Sequence, residues 1–352
     1  QRLFEAGDFD RMGRVIRQRL EDPRVPKTLH ERLRFQLIIA KEIPEYYRLT
    51  QADMLAILQE NINDFTEDEL EALRDDGTLD WRYINGEVHF RNNCLDALLK
   101  VRKEYALRAK DPEVQAAADA RGQRLNAMIT RMKEEGGMHV RFELHEEMTV
   151  KCDRLTPGET LRIHLPLPVV GAQVKSAALL STSHPAAFIA PADEPQRTVY
   201  FELPYEPGMT VSAELAYEIE APYCQPHARE VLAEQPTFDT EEMPPHVVFT
   251  PYLRALAKEI VGDETNPLLK ARKIYDFITT QAVYRYMPPY LTVTNLPEYF
   301  MSGLRGDCGV QAITFITLCR LCGIPAKWQA GLYTKPDDAG HHDWARFYIA
   351  PY

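Results

Sequence analysis

The sequence predicts a multidomain α+β protein in three parts. These are a helical N-terminal region (residues 1–137), a β-sandwich middle domain (138–226) and a mixed α+β C-terminal domain (227–352). The chain is longer than one ordinary domain of about 100 to 200 residues, so several compact units are expected. Apolar residues change from helical to alternating spacing near Gly136-Gly137, and a proline-containing loop precedes the last part.

Composition and charge exclude several classes of function. Lys plus Arg number 41 against 52 Asp plus Glu, a net charge of −11, whereas nucleic-acid binding needs a basic face. No apolar run is long enough to cross a membrane, and Gln1–Asp10 lacks the features of a signal peptide, which favours the cytoplasm. Because the chain begins with Gln, a removed leader stays open, and so does the oligomeric state. The 6 cysteines are too few for a disulfide scaffold, so we expect reduced thiols.

The N-terminal region reads as a series of helices. Apolar residues recur at helical spacing, and Thr66 and Glu69 have the spacing of a capping box. Asn85-Gly86 lies between two short β-forming runs and predicts one hairpin among these helices. Nothing in this region predicts a ligand.

The middle domain has alternating apolar residues, which predict strands at 139–143, 160–166, 198–203 and 210–220. Proline and glycine separate these runs at intervals that suit a sandwich. The histidines here, His139, His145, His164 and His184, are scattered singly, so we interpret them as surface or strand residues and not as metal ligands. The domain is expected to be a scaffold.

Two helices open the C-terminal domain. Thr250-Pro251 and Asn266-Pro267 each combine a capping residue with a proline at the first helical position, and they predict helices from Tyr252 to about Val261 and from Leu268 to about Thr280.

The candidate nucleophile is Cys308, in the run Gly306-Asp307-Cys308 at the start of a largely apolar helix that ends at Gly323. The helix dipole and free amides there favour the thiolate and are expected to lower the pKa of Cys308. The same amides could stabilise an oxyanion. The alternative is a small buried cysteine that only packs in the core. The C-x-x-C of Cys319 and Cys322 is interpreted as core packing, since it lies in the last turn of the helix and not at a metal or redox position.

Two strands are predicted downstream, at Lys327–Thr334 and His341–Ile349. Alternation in the second places Ala345, Phe347 and Ile349 on one buried face and His342, Trp344 and Tyr348 on the other. A histidine at a strand edge could accept the proton of the Cys308 thiol. His342 is the candidate base, and His341 is the other histidine considered.

Three of these features occur in order: Gly306-Asp307-Cys308, the helix ending at Gly323-Ile324-Pro325-Ala326, and His342-Asp343-Trp344 on a strand. Together they resemble the core of the transglutaminase-like superfamily of papain-type cysteine enzymes, over roughly residues 250–352. The β-rich middle domain resembles the one that often precedes this core in bacterial members. The resemblance implies a papain-like α+β domain with a Cys-His-Asp triad, in which Cys308 is the nucleophile and His342 the base and acid. It implies no metal and no cofactor.

The third residue of that triad has no clear counterpart. In the family it is an Asp on the next strand, so we expect it beyond Tyr352. The alternatives are Asp337 or Asp338, or an incomplete site, while Asp343 is a poor substitute because neighbouring strand residues point to opposite faces. Tyr286, on a β-forming run upstream, is the candidate side-chain donor for the oxyanion, with a packed tyrosine as the alternative.

The sequence therefore predicts a cysteine hydrolase (protease or amidase) or acyl transferase acting on amide bonds of a peptide-like or protein-like substrate, through a thioester on Cys308. Hydrolysis and transfer to an amine are not distinguished by these residues. An interaction module with an idle cysteine site is the alternative, and a zinc-dependent hydrolase is a weaker one.

Overall fold

The computed structural model describes residues 1–152, 155–171, 173–335 and 338–352. Its backbone contacts divide the chain into two units. Unit 1 comprises Gln1–Gly122, His227–Gln329 and Asp343–Tyr352, and unit 2 comprises Gln123–Pro226 and Ala330–His342. None of the helices in the described ranges combines the length and apolar character that a membrane crossing needs.

The N-terminal part of the chain is mainly helical, as predicted. Its elements are α1 (Arg2–Glu5), α2 (Phe9–Glu21), α3 (His30–Tyr46), β1 (Leu49–Thr50), α4 (Gln51–Asn61), α5 (Glu67–Asp75), β2 (Trp81–Ile84), β3 (Glu87–Phe90), α6 (Cys94–Val101), α7 (Lys103–Ala106) and α8 (Pro112–Glu135).

Two local predictions for this part are confirmed. Strands β2 and β3 pair as an antiparallel hairpin through Asn85 and Gly86, both with positive φ (53° and 99°), as a tight turn of this kind requires. The capping box at the start of α5 is also present, with Thr66 accepting from the Glu69 amide and Glu69 accepting from the Thr66 amide.

Unit 2 contains two antiparallel sheets. Its strands are β4 (Gly137–Thr149), β5 (Thr160–Pro166), β6 (Val174–Thr182), β7 (Phe188–Ile189), β8 (Thr198–Pro204) and β9 (Thr210–Pro222), in the orders β4-β9-β6 and β5-β8-β7. Both sheets contribute to one hydrophobic core, in which Phe201, Val211 and Leu215 are almost fully buried. The sequence pattern missed β6 and β7, because register shifts interrupt β6 and β7 is only 2 residues long.

The C-terminal part consists of α9 (Pro251–Val261), α10 (Pro267–Gln281), β10 (Val283–Tyr284), α11 (Leu296–Gly303), β11 (Arg305–Gly306), α12 (Cys308–Leu321), β12 (Ala326–Lys335) and β13 (Asp338–Phe347). The caps predicted for α9 and α10 are confirmed, since the side chains of Thr250 and Asn266 accept from amides of the first turns. Helix α12 lies in the core, where Val310 and Leu318 are 0 % exposed.

The face of β13 that carries Asp343 and Ala345 is directed to the core beside α12. Ala345 packs against that core, and the Phe347 ring lies 5.5 Å from the Phe315 ring of α12. The prediction that Phe347 is buried is wrong, since 45 % of the residue is exposed. Ile349 is buried, as predicted. Among the described strands, β13 pairs with β12.

Candidate active site

Cys308 is the first residue of α12 and is half-buried. Asp307 caps this helix by accepting from the Val310 amide at 3.1 Å, and Gln311 Nε2 donates to the Gly306 carbonyl at 3.0 Å. A Cβ at position 306 would overlap the Val310 side chain and lie 3.2 Å from Phe300. The turn before the cysteine therefore needs glycine for close packing, and it holds Cys308 at the amino end of the helix.

Three side chains from distant parts of unit 1 surround the first turn of α12. Tyr290, in a short 3₁₀ turn, donates its hydroxyl to Asp307 Oδ1 at 2.5 Å. A Cβ built on Gly309 would overlap that hydroxyl and lie 3.0 Å from both Asp343 Oδ2 and the Trp328 ring. Gly309 thus permits a tyrosine, a tryptophan and a carboxylate to meet next to the thiol.

The electrostatic environment of Cys308 differs from the expected one. Burial raises the pKa of the thiol, and the charges of Asp307 and Asp343 raise it further, while hydrogen bonds from the backbone of Asp343 and Gly309 act in the opposite direction. The expected lowering of the pKa was therefore wrong for this arrangement. Burial is the largest cause, and together with the two carboxylates it outweighs the hydrogen bonds from the backbone.

Two tyrosines near Cys308 were not recognised from the sequence. Strand β10 runs parallel to β11 and places Tyr284 opposite Gly306. Burial raises the pKa of Tyr284, with smaller contributions from Tyr286 and Cys308. Burial and the hydrogen bond to Asp307 also raise the pKa of Tyr290. Both hydroxyls therefore stay protonated at neutral pH, and that of Tyr290 donates to Asp307. Two-residue alternation from Tyr286 could have identified Tyr284, but nothing local distinguishes Tyr290.

Tyr286, the candidate oxyanion donor, is engaged by the N-terminal helices. Its hydroxyl donates to Asp96 and accepts from Lys100, whose ammonium also lies 4.9 Å from the centre of the tyrosine ring. Its ring contacts that of Tyr284 at 5.6 Å. The Tyr286 hydroxyl is therefore engaged elsewhere, and that of Tyr290 already donates to Asp307, which leaves Tyr284 as the better placed tyrosine beside Cys308.

His342, the candidate base, lies on β13 with its ring edge-on to Tyr333, at 6.2 Å between ring centres. The next residue, Asp343, directs its carboxylate to Cys308, with 3.9 Å between Sγ and Oδ2. Successive residues of a strand face opposite sides, so His342 belongs to the other face of β13. Asp337 and the side chain of Asp338, the other candidate acids, lie outside the described residues.

The remaining cysteine motif lies in the core. Cys319 is 0 % exposed within α12, and burial raises its pKa well above the usual value, as expected for a packed thiol. Over the described ranges, no three His, Cys, Asp or Glu residues converge in a way that could hold a metal ion.

The first turn of α12 thus brings together a helix-start cysteine, a glycine that admits neighbouring side chains and the carboxylate of Asp343. Residues 254–352 match the family model of the transglutaminase-like superfamily. The match agrees with the resemblance that the sequence motifs of this region predicted.

One solved structure is similar to the chain, that of a candidate cysteine protease from Cytophaga hutchinsonii. It has 19 % sequence identity and a TM-score of 0.44, and the match covers 60 % of this chain and 76 % of the other. No curated protein matches the chain.

Proposed function

We propose that the protein is a cysteine hydrolase or acyl transferase that cleaves amide bonds of a peptide-like substrate, with Cys308 as the nucleophile. The observation that carries this proposal is the position of the thiol. Cys308 is the first residue of the buried helix α12, within the segment that matches the transglutaminase-like superfamily.

The chemistry proceeds through a thioester. The sulfur attacks the carbonyl carbon, an S–C bond forms, and the oxygen becomes an oxyanion that free amides at the start of α12 can stabilise. Collapse of this intermediate breaks the C–N bond, and the leaving amine takes up a proton. Water or a second amine then attacks the thioester, which releases an acid or a new amide.

The base in this proposal is His342. Imidazole would take the thiol proton and return it to the leaving amine. The thiol has a raised pKa next to Asp343. Activation thus requires His342 to replace Asp343 beside the sulfur. A shift of β13 by one residue has that effect, because it exchanges the two faces of a strand.

Two matched pairs of variants test this function. The substrates are a fluorogenic peptide library and peptidoglycan fragments, and hydroxylamine is added to trap an acyl-enzyme as a hydroxamate. Cys308→Ala should abolish turnover while Cys152→Ser, at an exposed thiol, keeps it. His342→Ala should lower kcat by at least 100-fold, whereas His341→Ala should have little effect. Turnover undiminished in Cys308→Ala would rule the proposal out.

The alternative is an interaction module that keeps the fold without turnover. The raised pKa of Cys308 favours it, since a neutral thiol is a poor nucleophile. This alternative predicts that no substrate is turned over and that Cys308→Ala retains binding of the wild-type partner.

A further inference from the structure

A second candidate site lies within unit 1, away from the thiol. A cavity of about 830 Å³ is bounded by Tyr47 and the start of β2 on one side and by residues between Arg285 and Ser302 on the other. We call it the Arg82 cavity, and the side chains that matter for the argument are Arg82, Arg285, Tyr47, Trp81, Asn295 and Tyr299. Its volume is that of a small-molecule pocket.

Arg82 contributes a partly buried positive charge to this cavity. Among the described residues it forms no ion pair; its Nη2 donates only to the Phe4 carbonyl at 3.4 Å, and its buried Nε has no partner. The guanidinium lies 5.0 Å from the centre of the Phe9 ring and 5.6 Å from that of Tyr47. Burial lowers the pKa of Arg82, and the charge of Asp80 opposes this shift only in part.

The second arginine of the cavity is already neutralised. Arg285 Nη1 lies 3.3 Å from Asp80, and Arg91 lies 3.9 Å from the same carboxylate. Tyr47 also donates to Asp80, at 2.8 Å. Asp80 therefore serves two guanidiniums and a hydroxyl, and among the described residues it forms no ion pair with Arg82.

Glu298 is the other carboxylate on the wall. It lies in the first turn of α11, where the helix dipole favours negative charge, and it accepts from Thr250. Arg82 and Arg285 are the arginines among the lining residues, and Asp80 and Glu298 are the carboxylates. Among the described residues Asp80 pairs with Arg285 and with Arg91, and neither carboxylate forms an ion pair with Arg82.

We propose that the Arg82 cavity binds a small monocarboxylate with an aromatic or aliphatic body. The carboxylate pairs with Arg82 and completes its hydrogen bonds. The body contacts Trp81, Tyr299 and the other apolar walls, and Asn295 offers a polar contact. A phosphate dianion fits less well, because a single cation is unpaired and Asp80 and Glu298 would repel a second negative charge.

Isothermal titration calorimetry of the whole chain tests this site, with benzoate as the probe and benzamide as the uncharged counterpart. We expect saturable binding of benzoate at one site and at least tenfold weaker binding of benzamide. Arg82→Gln should weaken benzoate binding at least tenfold. Arg272→Gln, which removes an exposed arginine of α10 that pairs with Asp276, should leave it unchanged.

Circular dichroism melting checks that each variant folds. If Arg82→Gln does not fold, Thr294→Trp replaces it, since this change fills the cavity at an exposed lining residue and leaves Arg82 intact. Unchanged affinity in a folded Arg82→Gln or Thr294→Trp would overturn the proposal. So would benzamide binding as tightly as benzoate, inorganic phosphate binding more tightly than benzoate, or the absence of saturable binding.

Discussion

The carboxylate of Asp343 lies 3.9 Å from the sulfur of Cys308, although 35 positions separate the two residues in the chain. Burial is the largest cause of the raised pKa of the Cys308 thiol, and the charge of Asp343 adds to it. A carboxylate stabilises a neutral thiol by accepting its proton in a hydrogen bond, and it destabilises a thiolate by charge repulsion. Cys308 is thus held as a protonated thiol at neutral pH in this conformation.

Replacing Asp343 by Asn should lower the pKa of Cys308. The substitution removes one of the charges that raise this pKa but keeps the backbone hydrogen bond that lowers it. The pH profile of iodoacetamide alkylation at Cys308, followed by mass spectrometry of the peptide, should shift to lower pH. Alkylation at pH 7.5 should become several-fold faster, because only the thiolate reacts.

The control for this experiment is Asp276→Asn, at a carboxylate of α10 that pairs with Arg272. In this variant the pH profile of Cys308 alkylation should match that of the wild type. A profile that does not move in Asp343→Asn, or that moves to higher pH, would contradict the assigned contact.

Gly309→Ala should destabilise the site directly. Its new methyl group would overlap the Tyr290 hydroxyl and approach Asp343 and Trp328 to 3.0 Å. We expect a loss of about 1 to 3 kcal/mol in the free energy of unfolding, as for other overpacked positions. Urea denaturation followed by circular dichroism gives this value.

Gly303→Ala is the matched control, because a methyl group at the end of α11 has no atom within 4 Å. It should be neutral or stabilise by up to about 1 kcal/mol, since alanine favours helix over glycine. Equal stabilities of the two variants would show that the space around Gly309 is larger than described.

Asp80→Asn should be among the more destabilising changes in unit 1. Asp80 is 5 % exposed and is shared by Arg91 and Arg285, which would both lose their counter-charge. Removing one partner of a buried pair costs about 3 to 5 kcal/mol. Thermal and urea unfolding should show this loss, whereas Asp75→Asn, at an exposed carboxylate beside Arg74, should change stability by less than about 1 kcal/mol.

Much of the fold could be read from local patterns in the sequence. Helix caps and tight turns are set by contacts within a few residues, so they can be predicted without tertiary information. The caps at Thr66, Thr250 and Asn266 and the turn at Asn85-Gly86 are examples. Strands β6 and β7 were missed because interrupted or very short strands lose the alternating pattern.

The site was harder to predict, because its geometry depends on distant contacts. The sequence identified Cys308 at a helix start, but the pKa of its thiol follows from Asp343 and from burial, which no local pattern reports. Alternation predicted that His342 and Asp343 lie on opposite faces of β13. The prediction directed the His342 face to Cys308, whereas the structure directs Asp343 there.

We expect the stability of unit 2 to depend on pH through Glu146. Both carboxylate oxygens are buried without a hydrogen-bond partner, and burial raises the pKa of this side chain to about 7 from the usual 4.5. The folded state therefore binds a proton more tightly than the unfolded state, so stability is greatest below about pH 4.5 and falls as the pH rises to about 7. Above that pH the folded state carries a buried charge.

Glu146→Gln should remove this dependence of stability on pH, because the amide has no charge to bury. At pH 8 the variant should be more stable than the wild type by about 1 to 2 kcal/mol, allowing for partial solvent access, and the difference should vanish at pH 4.5. Glu147→Gln, at the exposed neighbour on the other face of β4, should follow the wild-type pH dependence. Urea unfolding between pH 4.5 and 8 measures all three proteins, and parallel curves for Glu146→Gln and the wild type would refute a raised pKa at Glu146.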